Sequence, residues 1–150
     1  MKRFLSVFLV ILIFTCALSV TATAAPTDTL ISSSVEYLED GSYFVTNIYE
    51  SAIQPRTGKS GSKDSIYYGA DGTKLFVVTV NGTFEYTPAV SATATSATAT
   101  VGRYTDKASF VSKDAYTSGA SAYAVGTVSY NGINITRTVV LTCDKYGVLS

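Results

Sequence analysis

The chain has 150 residues, with 11 basic and 11 acidic side chains, 11 tyrosines, 2 cysteines, and neither histidine nor tryptophan. The balanced charge excludes the strong positive field that nucleic acid or an anionic membrane surface would require. The missing histidine excludes a Ser-His-Asp or Cys-His site within this chain, because no ordinary base titrating near neutrality is left.

Lys2 and Arg3 precede a nearly unbroken apolar run from Phe4 to Leu18, and Ala22-Thr23-Ala24 then supplies small residues for cleavage before Ala25. This pattern predicts a signal peptide over 1–24 and a secreted product. An uncleaved membrane anchor ranks second, since the run is only slightly short of a spanning helix. A lipoprotein cysteine at Cys16 ranks lower, because Phe14 and Thr15 stand where a small residue is expected. The mature chain, about 125 residues, is the size of one domain with a single core. It keeps nine basic against eleven acidic side chains, and only Cys143. An intramolecular disulfide is therefore impossible, and stability must come from packing.

Ala25–Ser34 is small and polar and reads as a loosely attached lead-in. Val35-Glu36-Tyr37-Leu38 and Ser42–Tyr49 read as strands joined through Glu39-Asp40-Gly41, with a helical turn at Val35–Leu38 as the alternative. Gln54–Lys63, holding Pro55, Gly58 and Gly61, reads as a loop or irregular edge. Ile66–Thr87 turns at Ala70-Asp71-Gly72 and then carries the longest alternating pattern of the chain. One parity holds Phe76, Val78, Val80, Gly82, Phe84 and Tyr86, while the other grows polar from Leu75 to Glu85. Folding it at Asn81-Gly82 would pair Val78 with Glu85 and Thr79 with Phe84, burying a carboxylate or exposing a phenyl ring. A continuous strand is expected instead, with Gly82 marking a bulge or a close backbone approach.

Ser91–Val101 alternates alanine with threonine and switches parity at Ser96-Ala97, as a strand with one bulge would. Lys107–Lys113 reads as a short strand, followed by a loop from Asp114 to Gly119. A turn at Asn131-Gly132 pairs Tyr130 with Ile133, Val128 with Ile135 and Thr127 with Thr136, matching like with like; this is a two-residue hairpin. Arg137 interrupts the apolar parity opposite Gly126 and predicts a bulge or a sheet edge there. Val139, Leu141 and Cys143 continue the inner face. Seven or eight strands without helical periodicity predict an antiparallel β-sandwich, immunoglobulin-like or related.

Chemistry is sparse. Cys143, on the apolar parity, reads first as a small buried hydrophobe and second as a reactive or intermolecular thiol. Glu36 with Glu50, or Glu85 with Asp106, are the carboxylate pairs a glycosidase would need, though their spacing selects neither. Asp40-Gly41 and Asp71-Gly72 are isolated turn residues without calcium-site density, and zinc has no ligand set. No cofactor is expected. Asn81-Gly82-Thr83 and Asn134-Ile135-Thr136 match the glycosylation pattern of a eukaryotic secretory route. Tyrosine is the functional residue type in excess. Tyr67 and Tyr68 are adjacent, so in a strand one faces away from the core and is a candidate for surface binding. Tyr37, Tyr43, Tyr104, Tyr116 and Tyr123 are further candidates for exposure, against the plainer reading that tyrosine simply favours half-buried strands.

The stretch SIYYGADGTKLFVVTVNGTFEY, the Asn131-Gly132 hairpin and the ending VVLTCDKYGVLS resemble a group of small secreted β-proteins of Gram-positive, clostridia-like bacteria. The resemblance spans Lys59–Ser150, the size of a domain, and implies no particular activity. It implies a second cysteine in the stretch matching Ser91–Thr100, where this chain has only alanine, threonine and serine. Antibody-type domains match less well, lacking the Cys-Trp-Cys pattern.

The expectation is a signal peptide over 1–24, a lead-in with one or two strands over 25–58, and a β-sandwich domain over 59–150. Its function would be that of a secreted, non-catalytic interaction or structural module for an extracellular protein or cell-envelope glycan. A carbohydrate-binding module using Tyr67 or Tyr68 is the alternative, and a two-carboxylate glycoside hydrolase ranks third.

Overall fold

The computed structural model describes residues 27–150, so the signal peptide expected over 1–24 lies outside the described residues. Eight strands follow in order: β1 (Thr29–Tyr37), β2 (Tyr43–Glu50), β3 (Lys59–Tyr68), β4 (Lys74–Thr87), β5 (Ser91–Arg103), β6 (Ala108–Ser118), β7 (Ser121–Tyr130) and β8 (Ile133–Thr142). They form a five-stranded sheet, β1-β2-β3-β4-β5, and a three-stranded sheet, β6-β7-β8. Every pairing is antiparallel and joins chain neighbours. The protein is thus an all-β antiparallel sandwich built as two meanders joined by one crossing between the sheets, unlike the interleaved immunoglobulin arrangement.

β4 is the longest strand of the larger sheet, and it runs unbroken through Asn81-Gly82, with Gly82 opposite Gly61 on β3 and Ala97 on β5. Its inner parity, Phe76, Val78, Val80 and Phe84, is fully buried. Burying each such side chain stabilises by about 1.5–3 kcal/mol, which is why apolar parity overrides a strong local turn signal. No register shift falls at Gly82. What it accommodates is a close approach: a Cβ there would lie 2.9 Å from the Ala122 Cβ of β7 and 2.8 Å from the ring of Phe84. The bulge lies on β5, where Thr83 pairs with Ser96 but Phe84 pairs with Ala94, leaving Thr95 extra. This is the parity switch of the alanine-threonine stretch: Ala92 and Ala94 face inward before it, Ala97 and Ala99 after it.

The Asn131-Gly132 turn has positive φ at both residues, 50° and 81°, and pairs Tyr130 with Ile133 and Val128 with Ile135. Gly126 stands directly opposite Arg137 in an unshifted ladder, so β8 is a sheet edge there and carries no bulge. Three expectations need correction. Thr29–Ser34 belongs to β1 rather than to a loose lead-in, because its backbone pairs with β2 although none of its side chains is buried. Lys59–Lys63 belongs to β3, where Gly61 is the inward residue under Leu149 and not a loop glycine. Asp114–Ser118 continues β6, pairing through Ser118 with Ser121, so the loop shrinks to a turn at Gly119-Ala120. The larger sheet runs without interruption across 58/59, since β2 and β3 pair from Tyr43–Tyr68 to Glu50–Gly61.

The core joins the inner side chains of β4 to Ala122, Ala124 and Val128 of β7, to Val139 and Leu141 of β8, and to Cys143 just after it. One flank is closed by the chain itself. β5 crosses to β6 through Tyr104–Lys107, and the Arg103 guanidinium donates to the Ala108 carbonyl at 2.8 Å across that corner. The other flank is open: β8 lies under β3 and β4, while β1 and β2 extend past it. Arg137 spans the gap, donating from Nε to Ser65 Oγ at 3.0 Å and from a terminal nitrogen to Glu36 at 2.7 Å, with its guanidinium 4.1 Å over the Phe44 ring.

Candidate functional site

Register decides which tyrosines are available. Tyr67 lies opposite Phe44 and Phe76 on the inward row, with ring centroids 4.9 and 5.2 Å away. It is 7% exposed and its hydroxyl donates to Ser42 Oγ at 3.0 Å. Ser42 in turn donates to Asp40, and these hydrogen bonds hold the Asp40 carboxyl below its usual range. Tyr67 is therefore a core residue, and the expectation that it serves surface binding is corrected.

Tyr68 faces outward and joins a row that crosses the larger sheet. Tyr37 pairs with Tyr43, Tyr43 with Tyr68, and Tyr68 with Lys74. Tyr43 and Tyr68 stack at 4.9 Å with their planes 5° apart, Tyr37 tilts against Tyr43 at 5.4 Å, and the Lys74 ammonium sits 4.0 Å over the Tyr104 ring. Interaction with the Tyr104 side chain raises the pKa of Lys74, as a partner for the ammonium does. Tyr37 is 74% and Tyr104 51% exposed, so the row is half-buried in its middle and open at both ends. Its neighbouring row, Val35, Val45, Ile66 and Val77, is aliphatic. The next, Ser33, Asn47, Asp64 and Thr79, is polar. This outer face thus grades from aromatic to polar along the strands.

The stacking limits what the row can recognise. Tyr43 and Tyr68 spend their facing ring surfaces on each other and turn edges and hydroxyls outward, an arrangement suited to mixed apolar and hydrogen-bonding contact. A sugar ring needs an open aromatic face; in this row the end residues Tyr37 and Tyr104 are the most exposed, and Lys74 already sits over one face of Tyr104. A second cross-strand stack, Tyr116 on Tyr123 at 4.7 Å, lies on the outer face of the smaller sheet.

The carboxylate pairs do not assemble. Glu36 lies opposite Phe44, six residues along β2 from Glu50, a separation of about 20 Å at ordinary strand rise and beyond the spacing either glycosidase mechanism uses. Each is already engaged, Glu36 with Arg137 and Glu50 with Lys59 at 2.6 Å. Glu85 and Asp106 line separate clefts, the second beside Tyr104. Asp71 is used by its own turn, accepting from Thr73 N–H at 2.9 Å and Thr73 Oγ1 at 2.8 Å. Among the described residues no cluster of three metal-ligating side chains occurs, and no helix is long and apolar enough to cross a membrane. Cys143 is fully buried, and burial pushes its thiol pKa up, away from the reactive thiolate.

Reading single strands located Tyr68 but missed the row. The signal was present: Tyr37 and Tyr43 flank the five residues 38–42 symmetrically, and pairing them across that turn sets the register of the whole edge. No family model, curated protein or solved structure matches the chain.

Proposed function

We propose that this is a secreted, non-catalytic interaction module that engages an extracellular protein partner through the aromatic row of its larger sheet. The observation that carries the reading is the uncovered row Tyr37–Tyr43–Tyr68–Lys74–Tyr104, backed by the aliphatic row beside it. Tyrosine is favoured at the centres of protein contacts because it supplies large amphipathic area at low cost in side-chain entropy. The rings here are ordered before binding by their mutual stacking, which lowers that cost further. Carbohydrate binding is the second reading, supported by the exposure of the end residues Tyr37 and Tyr104.

The test is cross-linking of the purified protein to cell-surface extract of the producing organism, run beside a glycan array. The Tyr37→Ser/Tyr104→Ser double variant, which leaves the central stack intact, should lose at least about ten-fold in capture of a discrete protein species, the scale of one contact hot spot. Equal capture by both proteins would sink the reading. Glycan-array binding that disappears in the double variant would replace it with the second.

A further inference from the structure

The open flank of the sandwich contains a feature that the aromatic row does not use. Cys143 N–H donates to the Ala120 carbonyl on the β7 side, whereas Thr142 exchanges both of its backbone hydrogen bonds with Ser150, each at 2.9 Å. In an antiparallel ladder the direction of these groups alternates from residue to residue. The backbone N–H and C=O of Val140 and Thr138 therefore point the same way as those of Thr142, outward from the free edge of β8. The terminal segment covers this edge at Thr142 alone; among the described residues no strand pairs with Val140 or Thr138 on the side away from β7.

Those two residues line a cleft of about 310 Å³ between β8 and the overhanging β1–β2 pair. Its far wall carries Thr46, Ser65, Lys63 and Glu36, and Arg137 also lines it. Glu36 is held by Arg137 at 2.7 Å, but among the described residues no carboxylate lies within salt-bridge reach of Lys63. Burial and the repulsion of Arg137 together lower the Lys63 pKa, so the cation is held there at a cost in stability. The cleft thus combines an unfilled strand position with one excess positive charge on its inward wall.

We infer that this cleft is a strand-addition site for an extended peptide that pairs antiparallel to β8 at Thr138 and Val140 and places an inward-facing carboxylate side chain on Lys63. Backbone pairing supplies sequence-independent affinity, and the side-chain pocket supplies selection, as in other sheet-edge recognition. The carboxylate relieves the Lys63–Arg137 repulsion and satisfies a half-buried cation, so an acidic residue is preferred over its amide. This site is separate from the aromatic row and does not depend on it.

The experiment uses two synthetic six-residue peptides of alternating threonine and valine, one with a central glutamate and one with glutamine in its place. Calorimetric titration and amide hydrogen exchange follow binding, with inorganic phosphate as a third probe. The glutamate peptide should bind at least about ten-fold more tightly than the glutamine peptide and slow exchange at Thr138 and Val140. Lys63→Met should abolish that discrimination while leaving the protein at least as stable as the parent, which separates loss of the site from loss of the fold. The inference is overturned if neither peptide binds, if exchange at Thr138 and Val140 is unchanged, or if Lys63→Met keeps the preference. Phosphate perturbing Lys63 while the peptides leave the β8 edge untouched would reduce the site to a simple anion pocket and overturn it equally.

Discussion

Asp64 shows how a single residue can work against the fold that holds it. It lies on the outer face between Asn47 and Thr79, and its carboxylate accepts a hydrogen bond from Asn47 N–H at 3.2 Å. Burial raises its pKa, outweighing the hydrogen bonding of the Asn47 side chain and backbone and the charge of Lys74. A folded-state pKa above the unfolded value means that this group's contribution is fully present below the unfolded pKa and is lost as pH rises through the folded one. Asp64→Asn keeps the shape and an acceptor but removes the ionisation. The variant should be more stable than the parent at pH 7, and the difference should vanish below about pH 4, near the unfolded carboxyl pKa. Denaturant melts at the two pH values measure this, and an advantage that persists at pH 3 would show that its origin is not electrostatic. The same charge raises the pKa of neighbouring Tyr49, after the larger effect of burial.

The two Asn-Gly pairs carry the same dipeptide with opposite meanings at the level of the element. At Gly132 a Cβ would meet nothing within 4 Å, but φ is +81°, so Gly132→Ala should cost about 1 kcal/mol in backbone strain and Gly132→Asn less. At Gly82 the backbone is an ordinary strand and the obstacle is space, so Gly82→Ala should cost about 1–3 kcal/mol through overpacking. Combining it with Ala122→Gly should restore part of the loss, whereas no such partner exists for Gly132. Equilibrium denaturation of the variants and the double mutant resolves the coupling, and strict additivity at Gly82 would contradict the close approach described. Parity made both elements legible in the sequence, and it also located the bulge in β5. It failed for Thr29–Ser34 of β1 and for the end of β6, whose side chains are nearly all exposed: a strand held by backbone pairing alone leaves no hydrophobic period to read. The aromatic row needed the register of four strands and the corner after β5 at once, which no single window contains, and the β8 cleft needed the relative placement of the two sheets.

Across the whole molecule, each strand pairs with its predecessor or successor except at the β5–β6 corner, where the chain changes sheet. The terminal segment is the exception that ties distant parts together: Leu149 is buried, bridges Cys143, and packs so closely on Gly61 that a Cβ there would lie 2.5 Å from the Leu149 Cδ1. This arrangement has a kinetic consequence. Hairpins between neighbours close short loops at small entropic cost, so the two meanders can assemble faster than a sandwich with interleaved strands, whose pairings span longer stretches of chain. The Leu149–Gly61 contact closes a far longer loop than any of the hairpin pairings and should form after the rate-limiting step. Deleting Leu149 and Ser150 should therefore leave the folding rate within about two-fold while accelerating unfolding by ten-fold or more, a lowering of the unfolding barrier by about 1.4 kcal/mol or more. Stopped-flow folding and unfolding arms measure both, and a folding arm slowed as much as the unfolding arm is quickened would place the contact inside the nucleus. The terminal residues would then set the lifetime of the native state while contributing little to how quickly it is reached.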